Sequence, residues 1–209
     1  MNAGFSSLTA LKAQLLSQSL RSRTDFDAQL LALGLGVTGA IETFCNRKFA
    51  RVAGDIAIMT GGRASIILPR YPIEAITALD VRDTITAGWT DSLTSLDTYN
   101  PESGTVYFSA AIMGAQIRVT YTGGFFWETK EPTEGGYPTA LPGGATALPA
   151  AVITAWHLQC QAIWNAKDKL GTQIIKEPAS QGGTAAATNI ELIPAVKQML
   201  AGEVRYALT

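Results

Sequence analysis

The stretch Gln116-Ile117-Arg118-Val119-Thr120-Tyr121-Thr122-Gly123-Gly124-Phe125, continued through Trp127 to Leu148-Pro149, decides how the rest of the chain is read. Ile117, Val119 and Tyr121 fall on one face, and Gln116, Arg118, Thr120 and Thr122 on the other. That is the period-two pattern of a half-buried strand. Gly123-Gly124 ends it, where φ > 0 costs nothing without a Cβ. A Pro/Gly-rich, polar segment follows over 126–147 and reads as a long exposed loop. Leu148-Pro149 then opens a helix rich in Ala and Trp, with Pro149 suited to its first turn. An antiparallel sheet is thus handed over to a helix by a long loop.

Toward the N-terminus the same period of two extends back to Val52. Ile56 and Ile58 alternate with polar or small residues. Gly61-Gly62 reads as a hairpin turn with 65–68 as its return strand. Tyr71-Pro72-Ile73 restarts the chain, and Thr77, Leu79 and Val81 form a third strand face. Residues 84–95 are a polar excursion, a loop or weak hairpin around Gly88-Trp89. Asn100-Pro101 and Gly104 mark a turn. Val106 and Phe108 begin a hairpin that returns as 116–122. Residues 51–125 therefore read as an inserted antiparallel β lobe.

Outside the lobe the period is helical. Ser7 can cap a first helix through Leu8, Leu11, Leu15 and Leu16. Thr24 with Asp27 three residues on resembles a capping box for a second helix. Its apolar stripe is Phe26, Leu30, Leu33, Val37, Ile41 and Phe44, interrupted by Gly34, Gly36 and Gly39. Each such glycine costs about 1 kcal/mol against Ala in a helix interior; close approach by a neighbouring element, or a kink, would account for them. The central helix, within 148–170, carries Ile153, Trp156, Cys160 and Trp164 on one face. Residues 171–190 are Gly/Ala/Ser/Thr-rich and read as a flexible tether. Residues 191–209 carry a short stripe, Ile193, Val196, Leu200 and Val204. The fold class is α+β: a helical domain from 1–50 and 148–170, with two N-terminal helices and one central helix, the inserted β lobe, the loop, the tether and a short C-terminal helix.

The 209 residues suffice for a substantial core, 47% of them being hydrophobic. Charged residues make up only 16%, below the roughly 25% of ordinary soluble domains. Such a surface is either covered by partners or belongs to a weakly charged Ala- and Gly-rich protein. A net charge of −1 with no basic stripe argues against a grip on duplex nucleic acid through its phosphates. No apolar run is read as a membrane span. The first ten residues show no secretory signal pattern. Cys45 and Cys160 read as buried thiols.

No constellation of residues reads as catalytic. His157 and Cys160 lie at i and i+3 and, with Cys45, offer three candidate metal ligands. Zinc needs four ligands, or three with an open position. With no CxxC and no second histidine, core packing explains these residues better, and no metal or cofactor is expected. No serine sits in a Gly-x-Ser-x-Gly elbow. Gly61-Gly62-Arg63 has the composition of an anion nest but precedes a strand, so a turn explains it better. The carboxylate pairs Asp80/Asp83 and Glu128/Glu131 read as solvated charges. Trp127 and Tyr137 read equally as partner anchors or as loop residues packing on their own domain.

Several local patterns recur together. They are Leu8-Thr9-Ala10-Leu11-Lys12, the end of helix two at Cys45-Asn46-Arg47-Lys48-Phe49, and Leu68-Pro69-Arg70-Tyr71-Pro72-Ile73 followed by Ile76 and Leu79. With them come Gly104-Thr105-Val106, Val119-Thr120-Tyr121-Thr122-Gly123-Gly124-Phe125, Leu148-Pro149 and Ile193-Pro194. In this order over nearly the whole chain, they resemble the head–tail connector (adaptor) proteins of tailed bacteriophages. The 84–95 excursion, the 126–147 loop and the glycines of helix two depart from that pattern. The resemblance implies a structural, non-enzymatic virion protein forming a dodecameric ring in the neck, after assembly in the host cytoplasm. The ring would lie beneath the portal and above the next connector, stopper or tail-terminator protein. Double-stranded DNA would pass through its lumen without sequence-specific contact. It also implies that the C-terminal stripe docks on the portal through Ile193, Val196, Leu200 and Val204, with Tyr206 as an anchor; the alternative is that the stripe packs back on its own helices. On that expectation Leu200→Asp weakens docking and leaves the monomer folded. Two other readings stand beside it: another virion ring protein, a stopper or tail-completion protein, and a small-ligand-binding or enzymatic α+β domain.

Overall fold

The computed structural model describes residues 2–112, 114–170 and 190–205, with side chains of the central helix to residue 166. The fold is a mixed α+β arrangement. It divides into a helical unit, within 1–46, 127–140 and 149–209, and a β unit, 47–126 with 141–148.

In the helical unit, α1 spans Leu8–Leu15, and its cap is as expected: Ser7 Oγ accepts from Ala10 N at 3.2 Å. Helix α2 spans Asp27–Cys45 and starts later than the Thr24 signal suggests. The Asp27 carboxylate does not cap it; it pairs with Lys12, a nearly buried lysine whose Nζ also donates to Arg23 O at 2.8 Å. Asn46, in the left-handed region at φ 50°, ends α2. Helix α3 spans Ala150–Leu170 and α4 spans Pro194–Met199, with Pro194 in its first turn.

The buried stripe of α2 is Leu30, Gly34, Val37, Ile41 and Cys45. It is rotated from the expected one because Gly34 itself is the contact. A Cβ there would overlap the carbonyl of Ala3 and lie 3.0 Å from the Trp156 ring. Close approach, not a kink, therefore explains this glycine. Trp156 of α3 is fully buried and donates from Nε1 to Gly34 O and Thr38 Oγ1, each at 3.0 Å. By length and a mean hydropathy of 1.4, α2 is apolar enough to cross a membrane, contrary to the expectation. Its stripe, however, is closed by α3 and by the N-terminal Ala3 and Phe5, which are core residues.

The β unit holds β1 (Val52–Thr60), β2 (Arg63–Ile67), β3 (Ile73–Arg82), β4 (Thr90–Asp91), β5 (Leu96–Asn100), β6 (Thr105–Ile112), β7 (Gln116–Gly123), β8 (Phe125–Phe126) and β9 (Thr146–Ala147). One sheet has the order β1-β7-β3-β4, a second β2-β6-β5, and β8 pairs in parallel with β9. Two expected hairpins are corrected, the one at Gly61-Gly62 and the return of 106–108 as 116–122. β1 pairs with β7 and β2 with β6, so the chain changes sheet at Gly61-Gly62 and again between β6 and β7. These two crossings lie against each other: Gly61 N donates to Ala115 O at 3.2 Å, and a Cβ on Gly61 would overlap Gly114 O. Only glycine fits such an approach. Around Gly88-Trp89 the excursion does form a short hairpin, β3 with β4.

Ile66, Leu68, Leu79, Val106, Ile117, Val119 and Tyr121 form the core between the two sheets. Each such aliphatic side chain contributes about 1.5–3 kcal/mol by leaving water. The expected β7 face is the buried one. On β1 the inward residue is Ala57, while Ile56 and Ile58 point out, 58% and 56% exposed. The register shift between Val52 and Asp55, with Gly54 at φ 67°, sets that phase.

Candidate functional site

The described residues contain no cluster of three metal-ligand side chains. Cys45 and Cys160 are both fully buried, and burial pushes the Cys160 thiol up to about 12. Burial likewise lowers the pKa of the half-buried His157. These are properties of packed helix residues, not of a thiolate or imidazole poised for chemistry.

The C-terminal stripe is seated on its own unit. Leu192, Val196 and Leu200 are buried, and Ile193 and Val204 are half-buried. The buried spacing of four starts at Leu192, not at Ile193. Gln159 of α3, 1% exposed, brackets the segment: Nε2 donates to Glu191 O at 3.1 Å, and Oε1 accepts from Ile193 N at 2.9 Å. Farther on, Arg205 N donates to Cys45 O at 2.8 Å. Val196 and Leu200 are therefore core residues here and offer no face to a partner. Burial of Leu200 runs against the expectation that Leu200→Asp would leave the monomer folded. Tyr206 lies outside the described residues, as does the tether apart from residue 190.

The segment after β8 is tied down, not free. Trp127 is half-buried, donates from Nε1 to Gly4 O at 3.0 Å, and meets the Phe5 ring edge-on at 5.3 Å. It is an internal staple. Tyr137 is 43% exposed and is the aromatic of this segment that faces solvent. Neither carboxylate of the Glu128/Glu131 pair is simply solvated. Glu131 accepts from the backbone of Leu8 at 3.1 Å and of Thr9 at 3.3 Å, capping α1 from 122 residues away. Burial opposes its ionisation, but the hydrogen bonds from Thr9 prevail and hold its pKa below the usual value. Glu128 accepts from Lys130 N at 2.8 Å and from Thr139, which also lowers its pKa.

In the β unit Asp80 pairs with Arg118 at 2.9 Å, Asp55 with Arg70 at 2.7 Å, and Glu74 with Arg51 through two contacts of 2.6 and 2.8 Å. The Trp89 ring lies 4.6 Å from the guanidinium carbons of both Arg82 and Arg118. Arg47 is buried, stacked 3.3 Å over Tyr71 and donating to Tyr71 O. These cations serve structure: every one is engaged by a carboxylate, an aromatic face or a carbonyl. Tyr121, with its OH 3.3 Å from Asp55, is pushed up to about 12, first by burial and not by any catalytic partner.

Two features went unread in the sequence. Gln159 had a signal, a polar residue on the apolar face of α3 between Trp156 and Cys160. Glu131 had none, because its target lies at the far end of the chain.

No family model and no curated protein sequence matches the chain. Solved structures do. A chain from the virion of a native gene transfer agent particle matches with a TM-score of 0.59 and 16% identity, over 97% of this chain and 90% of that one. A chain from the neck of an empty gene transfer agent particle, computed with C6 symmetry, matches at 0.55 and 15% over the same shares. At such identity the likeness shows a shared fold over almost the full length of both chains.

Proposed function

We propose that the chain is a structural virion protein of the neck, a head–tail adaptor that forms a ring beneath the portal. It would connect the DNA-filled capsid to the next connector, stopper or tail-terminator protein. The observation that carries this reading is the fold match over 97% of the chain to a neck chain, which agrees with the connector resemblance of the sequence. A second support is negative: among the described residues, the buried titratable groups are spent on packing and caps. Twelve identical subunits are what the resemblance implies. Double-stranded DNA would pass through the lumen without specific contact, and a chain of net charge −1 suits a channel that must not retain it. Assembly would take place in the host cytoplasm and the product would reside in the virion.

Portal docking is assigned to the C-terminal residues that remain available, Ile193 and Val204, with Tyr206 beyond the described residues. Tyr137 is the candidate partner contact of the 126–147 segment. The isolated chain would be monomeric or weakly associated. The test is negative-stain microscopy of the protein mixed with its portal. Rings seated beneath the portal are expected. Failure to co-assemble, or a stoichiometric cofactor in the purified protein, would favour the rival reading as a ligand-binding or enzymatic domain. Light scattering that found a tight ring without portal would sink the monomer statement alone.

A further inference from the structure

Within the helical unit, α2 and the C-terminal segment border a groove of about 530 Å³. Gly36, Gly39 and Ala40 line its α2 side between Leu35 and Phe44, and Ile190 lines the other. Leu35 is 54% exposed, and Ala40, Phe44 and Ile190 are half-buried, so apolar surface is left in water along it. Glu191 and Lys197 line it as well, but Lys197 Nζ lies 3.6 Å from Glu191 Oε1, so these two charges offset each other. Thr43 Oγ1 donates to Gly39 O at 2.8 Å, and covering this stretch of helix therefore strands no hydroxyl. The wall opposite α2 is held in place by the two bonds of Gln159 to Glu191 O and Ile193 N. Room remains at the middle, where nothing lies within 4 Å of a Cβ placed on Gly39.

The chain itself is delivered to one end of this groove. Arg205 N donates to Cys45 O at 2.8 Å, and Asn46 Nδ2 donates to Arg205 O at 3.5 Å. Both backbone groups of Arg205 are thus fixed at the C-terminal end of α2, and Tyr206 starts next to Phe44. From Cys45 back to Leu35 the helix runs about 15 Å at 1.5 Å per residue. Residues 206–209, Tyr-Ala-Leu-Thr, reach about 13 Å when extended. Length and groove therefore match. In an extended chain Tyr206 and Leu208 fall on one side, about 6.6 Å apart. Positions four apart on a helix, such as Thr43 and Gly39, are about 6 Å apart along its axis. The two large side chains of the tail thus keep step with the groove. None of the four residues carries a charged side chain, which suits a groove whose own charges already pair with each other.

We propose that residues 206–209 fold back into this groove of their own chain, with Tyr206 over Thr43 and Phe44 and Leu208 over Gly39 and Ala40, beside Leu35. The Tyr206 ring covers apolar surface there, and its hydroxyl stays on the wet side. The inference goes beyond the docking reading above, because it concerns the chain before any partner arrives. On this placement Tyr206 reaches a portal only by leaving the groove.

The test is disulfide trapping of the full chain carrying Gly39→Cys and Leu208→Cys, at low protein concentration under mild oxidation and without portal. A side chain on Gly39 meets no neighbour, and the two native cysteines are buried. Peptide mapping identifies the link. The comparison is Ala28→Cys with Leu208→Cys, since Ala28 is exposed on the same helix about 16 Å nearer its start. A 39–208 disulfide within monomers is expected, forming several-fold faster than a 28–208 disulfide. Equal rates would show a tail that visits both places and would overturn the proposal. No 39–208 link in a variant that melts like the wild type would overturn it as well and leave the groove to residues 171–189. A link found only between chains would overturn it in favour of the tail of a second copy. If the cysteines impair folding, methyl NMR of the wild type beside Tyr206→Leu replaces them. The Ala40 methyl resonance should lie upfield under the Tyr206 ring and lose that shift in the variant; an unmoved resonance overturns the placement. Because portal is absent throughout, a missing link leaves the ring reading standing, and a missing ring leaves the tail placement standing.

Discussion

The helical unit and the β unit solve the problem of long-range closure differently. The β unit closes itself: two sheets share one apolar core, and cations on it are matched by carboxylates or aromatic faces, as Arg118 is by Asp80 and Trp89. The helical unit is fastened at a few points by single residues. Gln159 holds the C-terminal segment, Trp156 locks onto Gly34, and Glu131 caps α1. A part held by a shared apolar core thus sits in the same chain as a part held by single long-range contacts.

That contrast can be broken most forcefully at Leu200. Leu200→Asp places a carboxylate where no exposure remains, with an expected cost of more than about 4 kcal/mol. The helical signal in circular dichroism should melt far earlier than in the wild type. An unchanged melt with lost portal binding would instead restore the docking role that the connector resemblance implied. Trp156→Ala comes next. It empties the largest fully buried side chain and leaves Gly34 O without that donor, for about 3–5 kcal/mol in urea unfolding. A loss below 1 kcal/mol would show that the helical unit is not fastened there.

In the β unit a comparable polar deletion should matter less, because the core does not depend on it. Tyr121→Phe removes an OH that meets Asp55 at 3.3 Å and Arg70 N at 3.2 Å, and should cost about 0.5–1.5 kcal/mol. A collapse of the β unit in denaturant titration would put the polar contact above the core. The smallest effect is expected at Glu131. Its pKa is lower folded than unfolded, so the unfolded chain binds more protons in the acid range. The stabilisation is whole above the ordinary carboxylate range and is lost as pH falls through the folded value. Glu131→Gln should flatten the acid limb of a melt-against-pH profile. An unaltered limb would remove Glu131 from the fastenings.

Most elements were legible from periodicity alone: α1 with its Ser7 cap, the inward face of β7, the break at Gly123-Gly124 and the α3 start after Pro149. What failed was pairing. Gly61-Gly62 marks a turn, but whether the chain returns beside the same strand or crosses to another sheet depends on residues more than fifty positions away, such as Val119 opposite Ala57. The same holds for surfaces. Ile56 and Ile58 have the pattern of a buried face, and only the register beside β7 shows that Ala57 is the one turned inward. The C-terminal stripe was legible as amphipathic, yet what it packs on was not, since Gln159 binds it through backbone groups that no side-chain pattern reveals.

By itself the sequence determined the α+β class, the strand and helix periods, and a near-neutral surface poor in charge, because these depend on residues close together or on composition. Tertiary structure decided which strands pair, which face of β1 is hidden, that Gly34 is a contact, and that the C-terminal segment packs on Gln159. The physical reason is the same throughout: period reports which residues share a side, while burial depends on what arrives at that side from elsewhere in the chain.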